Sequence, residues 1–248
     1  MFITRQSACL LRHRLSPLAC SIAALGVCVA FLTNAYSASL WHQGVYLGGG
    51  TAIADQEFPD FDPASIYIVS DVTFDTAVRI DEISVPFTDQ SGDWPTGSAN
   101  AILNIFPVDT SLDTEDATLG KRVPVTIGPH DFFVFNEVTA TDLSIKLHSG
   151  SYWIGLTPIL ENSIYGQEFH LRANTAIGQP SHVSNPGGHF DHSATWIPVS
   201  DLGGGDAQDM AISISGSVID AADVPEPSLA LSLLLLQGAC AIRRRRAK

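Results

Sequence analysis

The chain has 248 residues and carries 26 Asp and Glu against 13 Lys and Arg, a formal charge of −13. Between Asp55 and Asp223 the imbalance is steeper, 25 acidic against five basic side chains for a formal −20. Such a surface repels nucleic acid and anionic lipid, while it favours solubility and suits divalent cations. The four cysteines (Cys9, Cys20, Cys28, Cys240) all lie in the apolar ends, so a disulfide scaffold, a cysteine nucleophile and Cys-ligated zinc are excluded from the region between.

Arg5, Arg12 and Arg14 make a basic start, Leu18 to Leu32 an apolar stretch, and Ala35-Tyr36-Ser37 places small residues where a signal peptidase reads. Residues 1–38 are therefore expected to be a secretory signal peptide, cut after Ser37 or Ala38. A retained membrane anchor is the alternative. Cys28 makes a poor lipoprotein site because the bulky Val27 precedes it.

Residues 39–223 read as strands. Ile83, Val85 and Phe87 alternate with polar neighbours, as do Leu143, Ile145 and Leu147. Tyr152, Ile154 and Leu156 alternate with Trp153, Gly155 and Thr157. Met210, Ile212, Ile214, Gly216 and Val218 alternate with Ala211, Ser213, Ser215 and Ser217. A period of two is that of a half-buried strand. The runs 101–108 and 131–138 are rich in β-branched or aromatic residues, and turn signals stand at 89–93, 148–150 and 185–188. Asp81-Glu82 breaks the phase between Ile80 and Ile83, which predicts a β-bulge or a strand switch. No internal repeat is present. The pattern predicts an all-β domain, an antiparallel β-sandwich or jelly roll.

Several groups in this region are candidates for chemistry. The acidic, Gly-rich stretch from Asp201 to Asp209 enters the last strand, and Asp206 and Asp209 are the candidate ligands of a structural calcium, against a plain solvated turn. Trp94, in the loop SGDWPTGS, is the candidate platform for stacking on a sugar ring; Trp153 and Trp196 are also available. His182, His189 and His192 fall close together but match no standard metal spacing. Neither Gly-x-Ser-x-Gly nor His-Glu-x-x-His occurs, and Gly48 to Ala52 lacks the Lys of a phosphate loop. A catalytic reading has no residue to start from, and no cofactor beyond the calcium is expected.

The C-terminus has three parts: Val224-Pro225-Glu226-Pro227, an apolar run of 15 residues from Ser228 to Ile242, and Arg243, Arg244, Arg245 and Arg246. As a helix the run spans about 22 Å, short of a bilayer core of about 30 Å. The arginines place the end of the chain on the cytoplasmic side and the acidic domain outside. The two prolines keep Glu226 extended. The arrangement resembles the PEP-CTERM sorting signal of Gram-negative bacteria, a tail also catalogued as an ice-binding protein C-terminal domain. Gln237-Gly238 makes the run less apolar than that pattern, and an ordinary tail anchor is the alternative. The resemblance implies a signal peptidase and an exosortase-like transpeptidase as partners, transient membrane anchoring in residues 224–248, and a final place at the cell surface or outside the cell. LHSGSYWIGLTP and DMAISISGSV are similar to the last long strands of the β-sandwich ectodomains that often precede this tail.

The expected function is a non-catalytic surface or matrix component with exopolysaccharide as the candidate ligand. The alternatives are a polysaccharide hydrolase or lyase built on the same sandwich, and a display protein with no ligand.

Overall fold

The alternating stretches become strands, in a computed structural model that describes residues 37–45, 52–89, 96–109, 111–129, 135–189, 194–202 and 209–224. The chain divides between Tyr36 and Ser37, and every described residue belongs to the second unit. Its strands are β1 (Ala38–His42), β2 (Ile53–Ala54), β3 (Tyr67–Phe74), β4 (Val78–Asp89), β5 (Gly97–Pro107), β6 (Lys121–Pro129) and β7 (Asn136–Ala140). They continue with β8 (Ile145–Leu147), β9 (Gly150–Ile159), β10 (Glu168–His170), β11 (His182–Ser184), β12 (Ile197–Pro198) and β13 (Ser213–Val218). The described α-helix is a single turn, Asn162–Tyr165.

The pairing order is β1-β13-β4-β7-β6-β5-β9-β3-β11-β12, with β8 and β10 attached to β4, and β2 to β10. All these strand pairs are antiparallel. A flat sheet would hold β4 and β9, four strand spacings apart, at about 19 Å. Their Cα atoms instead approach within 8 Å, so the sheet folds back on itself and its two halves face each other. The chain is therefore all-β, antiparallel and sandwich-like.

That folding encloses the main core. Ile80, Ile83, Val85 and Phe87 of β4 share one cluster with Leu103, Val123, Val125, Ile127, Val138, Ile154, Leu156 and Val72. Burying each such aliphatic side chain contributes about 1.5–3 kcal/mol. A second cluster of Tyr67, Val69, Ile102, Trp153 and Trp196 covers the other side of β9 and β3. A third gathers Ile66, Ile68, Val183, Val199 and Met210. Of β3, only Thr73 is exposed.

The phase break at Asp81-Glu82 has a double cause. Ser215 pairs with Glu82 and Gly216 with Ile80, so Asp81 is the extra residue of a bulge. Across the same point β8, which pairs with Val78–Ile80, gives way to β7, which pairs with Ile83–Phe87. Of the run 131–138, Asn136 to Val138 lie in β7 and 131–134 lie outside the described residues. One expectation shifts. Val218, predicted to face inward with Ile214, is 65% exposed, because it is the last strand residue and the main core stops short of it.

Candidate functional site

β6 puts Val123, Val125 and Ile127 into the core, and so turns Arg122, Pro124 and Thr126 outward. Register extends this outer face. Ser98 on β5 pairs with Thr126, Thr126 with Thr139 on β7, and Thr139 with Ser84 on β4. Ser84 pairs with Ser213 on β13, and Ser213 with His42 on β1. Residues directly opposed across strands point to the same face. The result is a ladder of five hydroxyls ending in an imidazole, with rungs about 4.8 Å apart.

Ser98, Thr126 and His42 are exposed, Thr139 and Ser213 half-buried, and Ser84 buried. The Thr139 hydroxyl donates to Ser84 Oγ at 3.4 Å, and Ser84 donates to Glu137 Oε1. His42 Nδ1 meets Ser213 Oγ at 2.8 Å. An open groove of about 300 Å³ runs over the β5–β7 end of the ladder, lined by Ser98, Lys121, Arg122, Thr126, Thr139 and Thr141. Arg79 is held by Asp81 at 2.8 and 3.0 Å, and Lys146 Nζ donates to the Asp223 carbonyl at 3.1 Å. Lys121 and Arg122 have no ion pair among the described residues and stand exposed beside the groove.

Two polar clusters lie inside the protein. The first joins Asp55, Thr157 and His170, which are 0%, 0% and 2% exposed. Thr157 Oγ1 donates to Asp55 Oδ1 at 2.6 Å, Asp55 Oδ2 meets His170 Nδ1 at 3.0 Å, and His170 Nε2 lies 2.7 Å from the Ala211 carbonyl. Phe87 stacks on the imidazole, with centroids 5.1 Å apart. Burial pushes the Asp55 carboxyl above the usual carboxylate range, opposed by its bonds to His170 and Thr157. This His-Asp-hydroxyl set carries the residue types of a catalytic triad. It is sealed from solvent, so it works as an internal tie.

The second cluster contains Asp209. Its Oδ2 accepts the Ile177 amide at 2.5 Å and Gln43 Nε2 at 3.0 Å. Asp71 accepts the Gln179 amide at 2.9 Å. Burial raises both carboxyls above their ordinary value, and the charge of Asp209 adds to the rise at Asp71.

The residues singled out by sequence are distributed as follows. Asp209 is 2% exposed and holds loop amides rather than facing solvent in a turn. Asp206, Trp94, Pro225, Glu226, Pro227 and Arg243 to Arg246 lie outside the described residues. Val224 is 7% exposed and follows the turn Ala221–Asp223, so it packs on the domain. Trp153 and Trp196 are core residues, and Trp196 Nε1 donates to the Glu115 carbonyl at 2.9 Å. His182 meets the edge of Trp153, whereas His189 meets Phe61. Among the described residues no group of three or more His, Cys, Asp or Glu is arranged to hold a metal, and no helix is long and apolar enough to cross a membrane. The chain matches no protein-family model and no curated protein.

Sequence reasoning missed both the hydroxyl ladder and the Asp55–His170 tie. The outward Thr126 and Thr139, each a hydroxyl residue of its strand, are the signal that hints at the ladder. Its assembly depends on register.

Proposed function

We propose that this chain is an exported, non-catalytic protein of the cell surface or extracellular matrix, whose outer sheet face binds exopolysaccharide. The observation that carries the reading is the groove over the β5–β7 end of the ladder, which gathers the hydroxyls of Ser98, Thr126, Thr139 and Thr141 beside Lys121 and Arg122. A hydroxyl both donates and accepts, as the hydroxyls of a sugar do, so a row of them at strand spacing suits a chain of sugar units. The groove is open, which lets a long polymer cross without an end being threaded. Two cations without ion-pair partners among the described residues, on a region of formal charge −20, form a local site where acidic sugars are tolerated.

In this reading a signal peptide of residues 1–38 exports the chain, which folds outside as a two-layered sandwich of the jelly-roll kind. An exosortase-like enzyme then acts on the tail in a Gram-negative envelope. Val224, which the sequence assigns to the tail, packs on the domain, so the division in this reading falls after Val224 rather than before it.

The test is co-sedimentation of the purified full chain with the host's extracellular polysaccharide, followed by sizing of the polymer. Retention with polymer length unchanged is the expected result. Shortening of the polymer would replace binding with hydrolysis or lyase action. Absence of retention would remove the glycan from the account.

A further inference from the structure

Asp71 comes from the middle of β3, and Asp209 from the segment that leads into β13. The two carboxylates reach the same loop. Asp209 Oδ2 takes the amide of Ile177 and Asp71 Oδ2 that of Gln179, two residues on, so the two amides are at most about 7 Å apart. Gly178 sits between them with φ +82, and a Cβ there would lie 2.2 Å from Asp71 Oδ2. The loop is thus shaped to bring its backbone against the acids.

Each carboxylate keeps a second oxygen in reserve. Asp71 Oδ1 and Asp209 Oδ1 are buried and have no hydrogen-bond partner among the described residues, in side chains 7% and 2% exposed. Buried polar atoms in folded proteins are nearly always satisfied, and a buried negative charge calls for a positive partner. Besides burial, Asp71 feels the Gln179 amide, its own amide and the charge of Asp209, and Asp209 feels the Ile177 and Ser181 amides and Gln43; no cation acts on either among the described residues. Burial raises both carboxyls, while the amide bonds and, at Asp209, the Gln43 bond oppose that rise, so a cation would relieve the cost that burial imposes.

We propose that Asp71 Oδ1 and Asp209 Oδ1 are ligands of a hard divalent cation, calcium first, which fastens the 177–181 loop to the sheet. One proton would satisfy one of the two oxygens and leave a charge. One divalent ion satisfies both and cancels both charges. An all-oxygen set with no imidazole or thiolate favours calcium or magnesium over transition metals, and calcium accepts the irregular coordination that loop carbonyls and water complete. This site is separate from the polysaccharide face, and neither proposal depends on the other.

The experiment is calcium titration of the chelator-treated full chain, read by thermal unfolding and by hydrogen exchange at the Ile177 and Gln179 amides. Saturable binding, a higher unfolding midpoint and at least tenfold slower exchange at those two amides are expected. Asp71→Asn and Asp209→Asn should each weaken binding at least tenfold. If neither calcium nor magnesium changes the wild-type exchange, the proposal is overturned, and a variant that fails to fold does not affect that reading. Calcium binding that survives unchanged in folded Asp71→Asn overturns it equally. A higher midpoint of Asp71→Asn without metal, in a wild type indifferent to calcium, would instead assign the pair a shared proton.

Discussion

Asp55 Oδ2 and His170 Nδ1 lie 3.0 Å apart in the interior, and the other ring nitrogen of His170 lies 2.7 Å from the Ala211 carbonyl. A carbonyl can only accept, so Nε2 carries a hydrogen and donates it. Nδ1 and Asp55 Oδ2 must then share a single proton between them. Through this pair the segment after β2 is tied to β10 and to the residues that lead into β13. Asp55→Ala leaves His170 buried without its partner, and the expected loss is about 3–5 kcal/mol. His170→Ala should cost a similar amount and the double variant clearly less than the sum. Urea unfolding of the four proteins measures the coupling; additive losses would show that the contact contributes little.

Gly155 allows β9 to lie close against β3. A Cβ at this position would stand 1.9 Å from the Ile68 carbonyl oxygen and 3.0 Å from Val69 Cγ1. The nearer atom is backbone, so relief requires the strands to part. Gly155→Ala is expected to destabilise the domain by about 1–3 kcal/mol, the usual range of overpacking, through a lower denaturation midpoint with an unchanged slope.

His182 adds a pH dependence. Its ring meets Trp153 at 4.6 Å and bonds the Pro180 carbonyl at 2.9 Å. Burial holds it below the ordinary histidine value of 6.5, opposed by that bond and by the charges of Asp201 and Asp113. The unfolded chain therefore takes up the proton first as pH falls. The stability from neutral His182 is complete above 6.5 and is lost as pH drops from there through the lower folded value. His182→Gln should flatten the wild-type decline in thermal midpoint between pH 7 and 5. An identical decline in the variant would assign it to other groups.

Strict alternation made β4, β9 and β13 legible. β3 was not, because it is buried on both faces and carries Ser70 and Asp71 in its middle. Both are committed inside: Ser70 Oγ meets Ser181 Oγ at 2.8 Å, and Asp71 holds the Gln179 amide. β6 was obscured by Pro124, which faces outward and so does not disturb the buried Val123 and Val125. Asp209 was legible as an acid at the mouth of the last strand, but Asp71 was not its visible companion, since only the fold brings the two to one loop. The ladder was least legible, because it takes one residue from each of six strands and depends on five registers agreeing.

The tail makes a separate prediction. Intact mass of the protein released by its native host should show a chain lacking the residues beyond about Pro227 and beginning near Ser39. A mass that still includes Arg243 to Arg246 would make the apolar run an ordinary anchor and remove the sorting step.

The central claim is that the outer sheet face holds the polymer. Its most direct test compares retention of the full chain on the host's exopolysaccharide with that of the triple variant Lys121→Gln/Arg122→Gln/Thr126→Val. All three residues are exposed, so the unfolding midpoint should be nearly unchanged while retention falls at least tenfold. Equal retention of a folded variant, or none in the wild type, would contradict the account.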